Sequence, residues 1–182
     1  MPSMGFALGN TFAGPAVTVS LGIDPGLNRT GYAVITRTSR GMRLTEGGVL
    51  SSTKALSLAE RVQQLGCELR EIIAEFKPQA MAVEQLFSHS AHVKTAILMA
   101  HARGALLYAA ADAGVPVVNY SPTQVKRLLT GSGKASKEQM QLAITRELGL
   151  SVVPEPNDVA DACAIALCQL HSCRMDLATA AG

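Results

Sequence analysis

The order in which two periodicities appear along the chain is what most constrains its fold. Three short β-branched or apolar runs come first, at residues 17–23, 31–36 and 43–51, with nothing helical between them. Consecutive strands of this kind make an antiparallel meander. The period then changes. Leu58, Val62, Leu65, Leu69, Ile72 and Phe76 recur at steps of three and four, which is the spacing of one helical face. From there strands and helices alternate: a strand at 80–85, a helix at 93–113 stopped by Gly114, and a strand at 115–119. Three helical pieces close the chain, at 122–129, 136–148 and 157–171. Gly131-Ser132-Gly133 loosens the first junction between them, and Pro154-Glu155-Pro156 stiffens the second. A meander followed by alternating elements predicts a mixed five-stranded sheet, antiparallel then parallel, with helices on both faces.

The rest of the composition fits one domain. The chain has 182 residues, 48% of them hydrophobic and only 16% charged, which excludes a disordered chain. Trp is absent, so the core is built from Leu, Ile, Val, Ala and Met. The net charge of +2 gives no global basic field, so any surface for nucleic acid must be made locally. Cys67, Cys163, Cys168 and Cys173 form no C-x-x-C pair and read as reduced thiols of a cytoplasmic protein. The apolar stretch 96–111 is short and broken by His101 and Arg103, which argues against a membrane span. Residues 1–16 lack the charged start of a signal peptide and are expected to be a disordered extension. The domain is expected over 17–172, and 173–182 as a flexible tail.

Four of the fourteen acidic residues stand out. Asp24 closes an apolar strand at the turn Asp24-Pro25-Gly26, where Pro and Gly fix the backbone. Glu84 interrupts the apolar run Met81-Ala82-Val83, and a carboxylate in such a setting needs a partner or a metal. Asp158 and Asp161 are three apart at the start of an Ala-rich helix, so they share a face, and Asn157 is a candidate cap. The partial positive charge at a helix start favours their ionised forms. Each has a plain alternative: turn former, buried ion pair, helix-start residue, solvated helix residue. Together, carboxylates from two strands and a helix could hold two hard cations about 3.5–4 Å apart, as phosphodiester hydrolysis uses them.

These residues carry a resemblance. Leu21-Gly22-Ile23-Asp24-Pro25-Gly26 with Thr30-Gly31-Tyr32, then Ala82-Val83-Glu84-Gln85-Leu86-Phe87, then Gln124-Val125-Lys126 with 131–137, and finally Asp158-Val159-Ala160-Asp161-Ala162, resemble in order the motifs of the RuvC family of Holliday-junction resolvases. The resemblance covers about 19–170. It implies an RNase H-like fold, a homodimer, and paired symmetric nicks in four-way junction DNA that leave 5′-phosphate and 3′-hydroxyl ends. It also implies Mg²⁺, with Mn²⁺ as a substitute and two ions per site, held by Asp24, Glu84, Asp158 and Asp161. A branch-migration complex is the partner it implies, in recombination and repair. Some relatives carry His where Asp158 stands, and loop 88–93 departs from the family pattern.

DNA contacts are expected from Phe87, which could stack on an unpaired base, and from Lys126, Arg127, Lys134 and Lys137 around the Gly-rich loop. The plain alternatives are a core Phe and a solvated basic face. Gly131-Ser132-Gly133-Lys134 is no P-loop, because Leu128 stands where the first Gly belongs and Ala135 replaces the Ser or Thr. His89, His92 and His101 read as surface or polar-core residues. Ala96, Ala100, Gly104 and Ala105 give the 93–113 helix a small-residue face, fit either for a partner helix or for the chain's own sheet. Competing functions are an actin-like or sugar-kinase-like phosphotransferase, a non-catalytic binder on an RNase H-like scaffold, and an RNase H-like nuclease acting on another nucleic acid.

Overall fold

The computed structural model describes residues 18–85 and 93–180, without the side chains of 174–180. The extension 1–16, Phe87, His89 and His92 lie outside the described residues. The meander is β1 (Val19–Asp24), β2 (Arg29–Thr38) and β3 (Gly41–Ser51). After it come α1 (Leu58–Phe76), β4 (Ala80–Glu84), α2 (Val93–Asp112), β5 (Val117–Tyr120), α3 (Pro122–Thr130), α4 (Lys137–Leu148) and α5 (Asn157–Ala180). The sheet runs β3-β2-β1-β4-β5, antiparallel across β3, β2 and β1 and parallel across β1, β4 and β5.

Ser57, Ser121 and Ser136 each close a capping box at the start of α1, α3 and α4, which fixes those starts to the residue. Most boundaries fall within two residues of the sequence reading, and the larger differences are informative. The β2–β3 hairpin is longer at its turn because Thr38 and Gly41 pair across it. β5 starts later, at Val117, and extends to Tyr120, which pairs with Glu84. The helix backbone of α5 continues to Ala180, into the stretch expected to be a tail, and Asn157 is its first residue rather than its cap.

Strand residues alternate between two cores. Leu21, Ile23, Val34, Met81 and Val83 pack with α1 and α2. Ala33, Ile35, Ala80, Ala82 and Val118 pack under α5, together with α3 and α4. On the α5 side small residues stand beside the bulkier Ile35 and Val118. A Cβ at Gly22 would overlap the carbonyl oxygen of Ala162, and one at Gly31 would overlap that of Asp158. The backbone of α5 therefore rests directly on the sheet, as only glycine permits.

Candidate active site

The site follows from this alternation. Gly22 faces α5, so Asp24, two residues on, faces it too. Ala80 and Ala82 lie in the α5 core, so Glu84 shares their face. β1 and β4 are parallel neighbours with Ile23 opposite Val83; one step further along, Asp24 and Glu84 end adjacent strands side by side. The first turn of α5 lies over them. Its Asp158 carbonyl is seated at Gly31, and Gly31 pairs with Asp24. Two strand ends and one helix start thus bring four carboxylates to one mouth.

These acids act on one another electrostatically. Burial first, then the charges of Glu84, Asp161 and Asp158, push the Asp24 carboxyl up to about 7 from an ordinary 3.8. Glu84 is also raised, by burial and then by Asp161, while Lys126 pulls it back down. Asp161 is raised by burial and by Asp158, and Lys137 opposes this. Because Asp161 is open to solvent, its displacement carries little weight. Asp158 is joined to Arg29, whose Nη2 lies 2.8 Å and Nε 3.0 Å from Oδ2. Three of the acids thus have a basic neighbour. Among the described residues Asp24 faces only like charge, and a cation has most to gain there.

Beside these groups a cleft of about 260 Å³ opens between α3, α4 and α5. Glu84 and Asp161 stand at its acidic edge and Lys126 and Lys137 on its basic one; Val125, Ile144 and Ala164 form an apolar floor. Arg127 and Lys134 are exposed and do not line it. The donor set fits a hard divalent cation: four oxygen ligands, crowded negative charge, and a raised carboxyl that a cation would return to its ionised form. Among the described residues no three His, Cys, Asp or Glu side chains already close on a single point. The acids stand within reach of one another's charge, and Asp158 is engaged by Arg29.

Several supporting residues escaped the sequence reading. On α2, Arg103 donates from Nε to the Glu84 carbonyl at 3.3 Å and from Nη2 to Asn119, tying together the ends of β4 and β5. Its signal was present, as a charge inside an apolar helix. On α1, Arg61 donates to Asn28 Oδ1 at 2.6 Å and to Ser52 Oγ at 3.0 Å, bracing the loop between Asp24 and Arg29. Within that loop Thr30 Oγ1 donates to the Gly26 carbonyl at 2.7 Å and accepts from its N–H at 3.1 Å. Arg29 stands outside any periodic pattern, and nothing local pairs it with a residue 129 positions away.

Comparisons with known proteins identify the family. A family model described as "Crossover junction endodeoxyribonuclease RuvC" matches residues 20–169. Proteins of that name from Rhodopirellula baltica and Syntrophomonas wolfei are similar to this chain. The first is 54% identical over 81% of this chain and 83% of its own length, the second 42% identical over 85% and 90%. Among solved structures, Thermus thermophilus RuvC superposes with a TM-score of 0.82 at 38% identity, covering 87% of this chain and 96% of that one. The T. thermophilus protein in complex with a Holliday-junction substrate superposes equally well. A yeast mitochondrial Holliday-junction resolvase, at 17% identity and a TM-score of 0.64, shares the fold. With four carboxylates gathered at one mouth and a family match spanning nearly all of the described sheet and helices, the chain belongs to the RuvC family of crossover junction endodeoxyribonucleases.

Proposed function

We propose that this chain resolves four-way DNA junctions by paired, symmetric nicks, hydrolysing one phosphodiester at each active site to leave 5′-phosphate and 3′-hydroxyl ends. The observation that carries this is the convergence of Asp24, Glu84, Asp158 and Asp161 beside a cleft edged by Lys126 and Lys137. Asp24, Glu84 and Asp161 are the residues that would hold Mg²⁺ or Mn²⁺, two ions per site, with Asp158 as the fourth ligand. When bound, such ions activate water and neutralise charge on the phosphate. The protein's own part is positional. β1 and β4 fix two carboxylates in register, α5 brings two more, and Arg103 holds the Glu84 strand end. Lys126 and Lys137 draw the DNA backbone toward the acidic edge, where unshielded carboxylates alone would repel it. Arg127 and Lys134, exposed outside the cleft, serve as outer phosphate contacts. Phe87 is assigned to the branch point as a stacking residue.

The dimer is supported by α2. Its buried residues are Ala102, Leu106, Ala109 and Ala110, so Ala100 and Gly104 face outward instead of packing on the sheet. Val93, Ile97 and Tyr108 are 50%, 52% and 63% exposed on that helix. We assign this face to a second copy, and a branch-migration complex and a cytoplasmic location to the working protein. The phosphotransferase reading is not favoured, because the relatives are nucleases.

The test is incubation of the dimer with Mg²⁺ and either a synthetic four-way junction or a linear duplex, with the nicks mapped. Symmetric nicks confined to the junction are expected. Asp24→Asn should still bind the junction and should cut it at least about a hundredfold more slowly, since even residues behind metal ligands are worth 10–100-fold. Equal cutting of both substrates, or near-normal nicking by the variant, would refute the assignment.

A further inference from the structure

We propose that Arg29 is a tethered cation that competes with divalent metal for Asp158. The inference rests on reading Asp158 as a metal ligand. Among the described residues this is the only direct ion pair in the acidic cluster. Lys126 and Lys137 influence Glu84 and Asp161 without an ion pair within 4 Å. Both Arg29 nitrogens converge on the single oxygen Oδ2, which withdraws that lone-pair site from any other cation.

The contact is built in at both ends. Arg29 opens β2 opposite Ser51, and the Thr30–Gly26 hydrogen bonds clamp the backbone just before it. On the other side, Gly31 seats the Asp158 backbone against the sheet. The guanidinium therefore reaches a fixed carboxylate from a fixed root. A divalent ion entering beside Asp158 must displace it or bear its repulsion. Either way the two cations weaken each other by the same factor. With the Arg29 and Asp158 side chains 52% and 33% exposed, the contact is partly screened, so the factor is modest. The consequence for function is a raised metal threshold for the free enzyme.

The test is calorimetric titration of MnCl₂ into the metal-stripped protein at low salt, with no DNA and no turnover. Arg29→Gln should bind Mn²⁺ about two- to fivefold more tightly than the parent. Arg29→Lys, which keeps the charge and loses the planar fork, should fall between them. The gain should shrink as salt is raised and should vanish when Asp158→Asn is present in both arms. Arg29 is exposed, so thermal melts of all variants should match the parent within a few degrees. If Asp158→Asn alone binds Mn²⁺ like the parent, Asp158 is no ligand and both readings fall. If Asp158→Asn weakens binding and Arg29→Gln leaves it unchanged or weaker, only the competition falls.

Discussion

The two faces of the sheet are built from different residues for different ends. Toward α1 and α2 the strands present Leu21, Ile23, Val34, Met81 and Val83, bulky side chains that fill a gap between layers. Toward α5 they present Gly22, Gly31, Ala33, Ala80 and Ala82 beside Ile35 and Val118, and at the two glycines the gap closes until backbone meets backbone. Bulky packing is tolerant, because a lost methylene costs stability and neighbours relax part of the way. Backbone contact is intolerant, because no rotamer can absorb an added atom. The four carboxylates of the candidate site stand on the intolerant side, where close backbone contact sets the position of the helix that carries Asp158 and Asp161.

This contrast can be broken most directly at Gly31. Gly31→Ala would push the start of α5 off the sheet, and junction cleavage should fall by about a hundredfold, the cost of roughly an ångström of misplacement. A variant cleaving within a few-fold of the parent would show that α5 is not held by that contact. A smaller effect is expected in the stability of the metal-free protein. The Asp24 carboxyl holds its proton up to about 7 when folded and only to about 3.8 when unfolded. Stability from this group is thus complete below about 4, declines as the unfolded chain ionises first, and levels off above about 7. Asp24→Asn should equal the parent near pH 4 and exceed it near pH 8 by no more than about 4 kcal/mol in denaturant titrations with chelator. A difference that narrowed as pH rose would contradict the crowding of like charge. The smallest effect should come from the residue just before Asp24 in sequence. Ile23→Val, on the tolerant face, should cost about 0.5–1.5 kcal/mol of stability and leave the cleavage rate unchanged below the melting range.

Much of this was legible before any coordinates. Element order came from a change of period, and the carboxylates from charges placed where apolar strands end. What sequence could not supply was depth. Gly22 and Gly31 read as parts of a motif, while their role depends on a helix more than 120 residues away coming to rest on them. For the same reason Arg29 went unnoticed beside Asp158, and Arg103 served only to exclude a membrane span. Local spacing tells which face a residue takes, and tertiary packing decides what that face meets. Phe87 lies outside the described residues, and its assignment comes from the motif that Ala82 to Phe87 make.

Arg103 has one more consequence. It sits next to Gly104, on the outward side of α2, and its guanidinium grips the strand end that carries Glu84. A load on the outside of that helix would bear, one side chain away, on the strand end that carries Glu84, a carboxylate of the proposed metal site. A molecule that docks there need not reach the cleft to alter it, and two copies docked back to back would each hold a lever on the other's blade.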